Sequence, residues 1–164
     1  MKRLYLVRHA KANSIDIEMP DFDRPLTKRG EKDVPMMGGR LAARKVRPDG
    51  ILTSGALRAL TTAKMMAEAI GFAAERIVVD NRIYEADAGD LLGLIQGVDQ
   101  GWESVMLFGH NPAMTDLVNA LTDEFIENVP TCGIATIDVD CDAWAEVVVG
   151  TGRLAAFDFP KFGD

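Results

Sequence analysis

Two histidines and two arginines are the residues of this sequence that could do chemistry together. Arg8 and His9 follow the apolar run 4–7, His110 comes two residues after another apolar run, and Arg58 comes five residues after a short one. The chain has no other histidine. Arginine offers forked donors that suit phosphate oxygens, and a neutral imidazole is a nucleophile. The set predicts an oxyanion site for phosphoryl chemistry.

Each of these residues has a simpler explanation when it is considered alone. A single histidine is more often a structural residue than a catalyst, and an arginine most often forms a surface ion pair. Their shared placement argues against that explanation, because Arg8, His9 and His110 directly follow predicted strands. In an open α/β sheet, ligands bind beyond the carboxyl ends of the strands.

The apolar pattern predicts the strands and helices that must position these residues. It predicts strands at 2–7, 51–53, 76–80 and 104–108, and helices at 27–45, 57–70, 87–95 and 112–121. Three more strands, 134–139, 145–149 and 154–158, are expected at an antiparallel edge, and 13–25 is expected to be a loop. We therefore expect an α/β three-layer sandwich, with a mostly parallel central sheet between helices, as one domain spanning 1–164.

Composition excludes several classes of function. The 164 residues carry a net charge of −7, which argues against nucleic acid or an anionic membrane as a partner. Apolar runs of about four residues are far shorter than the roughly 20 that a membrane helix needs. With no signal-peptide pattern after Met1, we expect a cytoplasmic protein in which Cys132 and Cys141 are reduced thiols. The spacing of histidine and cysteine predicts no metal site and no cofactor.

Four segments resemble one family. They are the run Leu4 to Ala10, the segment Arg24-Pro-Leu-Thr27-x-x-Gly30, the segment from Thr53 through Arg58 to Ala63, and the turn Gly109-His110-Asn111-Pro112. Together, in this order and over nearly the full length, they resemble the histidine phosphatase superfamily and its short phosphohistidine phosphatases of the SixA type. Ala10 departs from the glycine that many members have at this position.

The resemblance implies a phosphoglycerate mutase-like fold and a role for each residue of the set. His9 would be the nucleophile that forms a transient phosphohistidine, and Arg8, Arg58 and His110 would complete the phosphate pocket. The residues themselves suit this chemistry, because cations absorb charge on the equatorial oxygens while a neutral imidazole attacks in line. Neighbouring positive charge should also lower the pKa of His9.

The proton donor is less clear from the sequence. Superfamily members carry it beside the second histidine or in the loop after the third strand, and Asn111 occupies the first position. Glu85 fits the second, since it lies 27 residues after Arg58 and 25 before His110. Asp87 is the nearest alternative, and an ordinary solvated loop acid is the other.

Four polar residues near the motifs have less specific roles. Lys11 is expected to bind anionic substrate at the rim or to be a plain surface lysine. Thr27 is expected to cap a helix, Arg24 to form an ion pair or a rim contact, and Asn111 to cap the next helix or to orient His110.

These residues lead to one expected function and two alternatives. We expect a metal-independent phosphatase that acts on phosphohistidine in a partner protein. The same pocket would also suit a small phosphate ester, and a third interpretation is a catalytically silent phosphate-binding module. A mutase is disfavoured, because the 52 residues from Arg58 to His110 leave little room for the subdomain that encloses a small substrate in larger relatives.

Overall fold

The computed structural model describes residues 1–14 and 18–161, and their strands and helices alternate along most of the chain. The elements are β1 (Lys2–Arg8), α1 (Lys28–Ala43), β2 (Gly50–Thr53), α2 (Leu57–Ile70), β3 (Val78–Val79), α3 (Ala88–Gln96), β4 (Ser104–Gly109), α4 (Ala113–Leu121), β5 (Ile134–Val139) and β6 (Gly152–Asp158). This order confirms the predicted α/β class.

The six strands form one mixed sheet in the order β3-β2-β4-β1-β5-β6. The pairs among β3, β2, β4 and β1 are parallel, whereas β5 runs antiparallel to both β1 and β6. In the parallel register Arg8 lies opposite Gly109, and Thr53 lies opposite Phe108. The carboxyl ends of β1, β2 and β4 therefore meet at one edge of the sheet.

Helices cover both faces of the sheet. Leu4 and Leu6 of β1 pack in one buried cluster with α3 and α4, while Tyr5 and Val7 pack in a second cluster with α1 and α2. Alternate side chains of a strand point to opposite faces, so a strand that is buried on both faces is apolar throughout. This explains the uninterrupted apolar runs that predicted the central strands.

Local signals set the ends of the helices. Thr27 caps α1, since its hydroxyl accepts a hydrogen bond from the amide of Gly30 at 3.1 Å. Gly71 ends α2 with a positive φ of 77°, a conformation that glycine adopts without strain. Thr27 thus has the capping role that the sequence predicted.

The predicted strand 145–149 is wrong. Trp144 is fully buried, and its indole donates to the carbonyl of Trp102 at 2.7 Å, which holds the chain in a short 3-10 helix at Trp144–Glu146. The glutamine side chains of Gln96 and Gln100 bond the backbone of Val147 and Ala145, so these groups join no sheet. The run of valines suggested a strand because the pattern does not show this anchoring.

Two other segments differ from the expected elements in extent. The strand predicted at 76–80 is only two residues long, and both Val78 and Val79 are about half exposed at the sheet edge. The described part of the predicted loop 13–25 contains a short 3-10 helix, Asp21–Asp23, and residues 15–17 of that loop lie outside the described residues. Within the described ranges, no helix is both long enough and apolar enough to cross a membrane.

Candidate active site

His9 lies directly after β1, and both sides of its backbone are held. Its amide donates to the carbonyl of Gly109 at 3.1 Å, and its carbonyl accepts from the amide of Cys132 at 3.0 Å. The ring is buried, and Nδ1 lies 2.8 Å from the carbonyl oxygen of Ala10. Because a carbonyl only accepts, Nδ1 carries the hydrogen and Nε2 carries the lone pair. His9 therefore has the tautomer in which Nε2 is a nucleophile.

Burial, more than charge, keeps this imidazole neutral. The pKa of His9 is lowered to about 3: burial is the largest cause, the bond to the Ala10 carbonyl opposes the shift, and the positive neighbours His110, Arg58 and Arg8 contribute to it. The direction agrees with the sequence prediction, but the larger cause differs from the expected one. At neutral pH the lone pair of Nε2 is available.

His110 directly follows β4 and lies beside His9. The centroids of the two rings are 5.2 Å apart, and Nε2 of His110 lies 2.8 Å from the hydroxyl of Ser54. Burial, with Arg58 as the next cause, lowers the pKa of His110 to about 4. The parallel register of β1 and β4 thus brings the two histidines together, as the sequence predicted.

The two arginines reach the same place from β1 and α2. Nη1 of Arg8 donates to the carbonyl of Val129 at 3.0 Å, and burial lowers the pKa of Arg8. Arg58 is buried in the first turn of α2, and its Nη1 and Nη2 donate to the backbone oxygen and carboxylate of Asp21 at 2.8 and 3.0 Å. Both guanidiniums are held through terminal nitrogens, and neither Nε has a partner among residues 1–14 and 18–161.

Asp21 and Tyr84 are site residues that the sequence did not indicate. The hydroxyl of Tyr84 donates to the Asp21 carboxylate, and the Tyr84 ring lies 5.6 Å from that of His110. Hydrogen bonds from Tyr84, Arg24 and Arg58 hold the pKa of Asp21 at about 2. Both residues lie in segments without periodicity, where no spacing could have indicated them.

Three buried side-chain nitrogens have no hydrogen-bond partner among the described residues, and all belong to this cluster. They are Nε of Arg8, Nε of Arg58 and Nδ1 of His110. Buried polar groups are nearly always paired, so this concentration indicates a ligand. Since an arginine Nε only donates, the ligand must present acceptor oxygens, as a phosphoryl group does.

Glu85 lies next to this cluster in the chain but is exposed, and the structure describes no bond between it and either histidine. Its neighbour Tyr84 contacts the site, which places the backbone of Glu85 at the border. Asp87 caps α3, since its carboxylate accepts from the amide of Asp90 at 2.8 Å. Of the two acids, Glu85 is therefore the one without a structural task.

Lys11 lies two residues after His9 in the chain. Its exposed side chain lines a separate cavity of about 290 Å³ with Arg29, Phe159 and Lys161, among other residues. Arg24 forms an ion pair with Asp21 at 2.9 Å. Arg24 is thereby linked to the site through Asp21, which also binds Arg58.

Asn111 supports the site from the side of α4. Its side-chain oxygen accepts from the amide of Thr115 at 3.2 Å, which is the predicted capping role. Its amide nitrogen donates to Asn128 and to the carbonyl of Val129, the group that also receives Arg8. Asn111 thereby links the start of α4 to the loop that holds Arg8.

No group of three or more histidine, cysteine or acidic side chains lies close enough to hold a metal ion within residues 1–14 and 18–161. Cys132 and Cys141 are both free thiols. Burial raises the pKa of Cys132 to about 12, so its thiol is uncharged at neutral pH. The chemistry available at this site is that of the histidines and arginines.

Comparison with known proteins agrees with the geometry. A family model described as the histidine phosphatase superfamily (branch 1) matches residues 4–116. The chain belongs to this superfamily. An uncharacterized protein of Mycobacterium tuberculosis is 31% identical over 94% of this chain and 100% of its own length. An uncharacterized chloroplastic protein of Arabidopsis thaliana is 28% identical over 92% of this chain and 72% of its own length.

Solved structures of the superfamily share the fold. A structure from Agrobacterium tumefaciens that carries the name phosphohistidine phosphatase SixA has a TM-score of 0.83 and 33% identity, over 97% of this chain and 98% of that chain. A protein histidine phosphatase SixA in complex with tungstate has a TM-score of 0.82 and 24% identity, over 96% and 97%. The architecture is the phosphoglycerate mutase-like fold.

Proposed function

We propose that this histidine phosphatase superfamily member hydrolyses phosphoryl groups through a phosphohistidine intermediate on His9. The observation that supports this most directly is the arrangement around His9. Its Nε2 has a free lone pair, and nitrogens of Arg8, Arg58 and His110 lie nearby, buried and without partners in the described part of the chain. Such donors stabilise the charge that develops on the equatorial oxygens of a transferring phosphoryl group.

In the first step, Nε2 of His9 attacks phosphorus in line. A bond between nitrogen and phosphorus forms, the bond from phosphorus to the leaving group breaks, and the leaving group takes the electron pair and a proton. Arg8 and Arg58 bind the equatorial oxygens, and His110 donates a third hydrogen bond. Positioning and electrostatics supply most of the rate enhancement.

In the second step, water attacks the phosphohistidine. The bond from phosphorus to Nε2 breaks, inorganic phosphate leaves, and the proton of the water passes to a base or to solvent. We assign Glu85 as the residue that donates the proton in the first step and accepts one in the second. Its side chain is exposed and follows Tyr84, which contacts the ring of His110.

The substrate that we propose is phosphohistidine on a partner protein. The 52 residues from Arg58 to His110 are occupied by α2, β3, α3 and β4, so no inserted subdomain covers the site in the described chain. A phosphorylated side chain of a folded partner can therefore approach it. Lys11 and Lys161, which line the neighbouring cavity, would bind acidic groups beside the phosphohistidine, whereas Arg29 in the same cavity pairs with Asp33 at 3.6 Å.

A small phosphate ester is the second candidate substrate, because the same donors would bind any phosphoryl group. A catalytically silent binding module is disfavoured, since phosphate binding alone does not require a neutral histidine with its lone pair facing the site. We further propose a cytoplasmic location, which suits two free thiols. Subcellular fractionation tests the location independently of the activity.

Trapping of the intermediate tests the proposed chemistry. Enzyme mixed with labelled phosphohistidine protein or phosphoramidate, then quenched without acid, should carry label on His9. His9→Ala should lose both label and turnover, whereas His110→Gln keeps the nucleophile and should take label more slowly. Label on Cys132, Cys141 or a serine would contradict the mechanism.

A substrate panel separates the candidate functions. Phosphohistidine protein, phosphoramidate, sugar phosphates and aryl phosphates should be assayed with a chelator present. Activity that survives EDTA and is inhibited by vanadate or tungstate supports a metal-independent phosphatase. Activity that is lost to the chelator and restored by magnesium or zinc would refute metal independence, and inactivity on the whole panel would favour the binding module.

A further inference from the structure

Ser54 contacts the site although the proposed mechanism gives it no task. It directly follows β2, its side chain is fully buried at 0% exposure, and its Oγ lies 2.8 Å from Nε2 of His110. The same oxygen accepts a hydrogen bond from the amide of Ala56 at 3.1 Å. The Ser54 hydroxyl is thus held between the start of α2 and the second histidine.

The hydrogen atoms of this contact have only two arrangements while His110 is neutral. Either the hydroxyl donates to Nε2 and the ring carries its hydrogen on Nδ1, or Nε2 donates to Oγ and Nδ1 carries a lone pair. In the second arrangement Oγ accepts two bonds, and its own hydrogen has no acceptor among the described contacts of Ser54. A buried hydroxyl without an acceptor is costly, so the first arrangement is favoured.

We infer that Ser54 is a positioning residue that fixes the proton of His110 on Nδ1. Nδ1 is one of the three buried nitrogens that have no partner in the described chain. With its proton there, His110 adds a third donor to the Nε groups of Arg8 and Arg58. With the other tautomer, a lone pair would meet the oxygens of the phosphoryl group and repel them.

The catalytic consequence of this inference rests on the proposed function. The structural test of the inference does not depend on that function. The chain has only two histidines, so ¹⁵N-histidine labelling gives a spectrum with two imidazole rings. Long-range ¹H–¹⁵N correlations at neutral pH report which ring nitrogen carries the proton. Resting His110 should be protonated on Nδ1, and a proton on Nε2 would overturn the inference whatever the activity of the enzyme.

Substitution of Ser54 provides a second test of this inference. Ser54→Ala should shift His110 toward the Nε2-protonated tautomer and lower kcat/KM on the order of 10- to 10²-fold, with weaker inhibition by vanadate. Thr53→Val is the matched control, because it removes a neighbouring buried hydroxyl that donates to the Ser54 carbonyl and does not contact His110. It should leave the tautomer and kcat/KM nearly unchanged.

The possible outcomes distinguish a failure of this inference from a failure of the proposed function. An unchanged tautomer in Ser54→Ala would overturn the inference, as would equal losses of activity in Ser54→Ala and Thr53→Val. If Ser54→Ala does not fold, the tautomer of the wild-type protein still decides the question. An Nδ1-protonated His110 in a protein that hydrolyses none of the panel substrates would refute the proposed function and leave the role of Ser54 in the tautomer intact.

Discussion

Asp21 binds the two terminal nitrogens of the Arg58 guanidinium and makes no bond to its Nε. Nη1 and Nη2 donate to the backbone oxygen and the carboxylate of Asp21, while the buried Nε has no partner in the described chain. In a guanidinium the hydrogen of Nε and one hydrogen of a terminal nitrogen lie side by side and form a second fork of donors. Arg58 can therefore hold Asp21 and a phosphoryl oxygen pair together, which lysine cannot do.

Arg58→Lys should lower kcat/KM on the order of 10²-fold or more, because an ammonium group cannot reproduce both forks. Steady-state kinetics on phosphohistidine protein and on an aryl phosphate would measure the loss. Arg153→Lys is the matched control, since Arg153 on β6 is exposed and pairs with Asp138 on β5. Near-normal activity in Arg58→Lys would show that Arg58 does not bind the phosphoryl group.

Glu85→Gln should affect substrates according to their leaving groups. An alkyl ester expels a strongly basic alkoxide, and a positioned acid contributes roughly 10²- to 10⁴-fold to that step. Phosphohistidine releases an imidazole with a pKa near 6.5, which solvent can protonate. We expect a large loss on alkyl phosphates, a modest one on phosphohistidine and almost none on an activated aryl phosphate.

A control variant and the pattern of losses across substrates check this assignment. Asp87→Asn is the control, since Asp87 caps α3, and it should lower stability more than activity. Equal losses on all three substrates would mean that Glu85 binds substrate or shapes the pocket.

Lys11→Glu should weaken the use of a protein substrate and spare a small one. Reversing the charge at the rim should raise KM for phosphohistidine protein roughly 3- to 10-fold at low ionic strength, and added salt should reduce the difference. The kcat on phosphoramidate should not change. Lys64→Glu, in the exposed part of α2, is the control and should leave both values unchanged. Parallel effects of Lys11→Glu on both substrates would place Lys11 in the phosphate pocket itself.

The buried histidines should make stability depend on pH. Folding lowers the pKa of His9 and His110 from 6.5 to about 3 and about 4, so below pH 6.5 the unfolded chain binds protons that the folded protein does not. The free energy of unfolding therefore decreases as the pH falls from 6.5 toward 4, by up to about 1.4 kcal/mol per pH unit for each histidine.

In His9→Gln, the free energy of unfolding should depend less steeply on pH, by about the contribution of one histidine. Urea denaturation of the wild-type and variant proteins at several pH values in this interval would measure it. The carboxyl of Asp21 does not contribute there, because its pKa shift acts below its ordinary value of 3.8. Identical slopes in the two proteins would show that His9 is protonated in the folded state.

The sequence predicted the parts of the site that follow buried strands. His9 and His110 could be placed because each lies at the end of an apolar run, and parallel strands bring such ends to one edge. Asp21 could not be predicted, since it reaches Arg58 across 37 residues from a loop without periodicity. Tyr84, which contacts Asp21 across 63 residues, could not be predicted for the same reason.

The fold also has elements that the sequence predicted and one segment that it did not. The central strands are buried on both faces, and their apolar runs indicated them correctly. The segment 145–149 also has an apolar run, but its conformation depends on the burial of Trp144 and its bond to Trp102, which no local pattern encodes. Ser54 belonged to a visible motif, yet its bond to His110 exists only because β2 pairs with β4.

The register in which Arg8 lies opposite Gly109 has a consequence for transplanting this chemistry. The spacing of His9 and His110 is set by backbone hydrogen bonds between adjacent strands, so loops can vary without altering it. Removing one residue within β4 would instead turn the imidazole of His110 to the other face of the sheet. A designer could therefore graft the two histidines onto any pair of parallel strands in this register. The arginines would need a helix and a loop of their own.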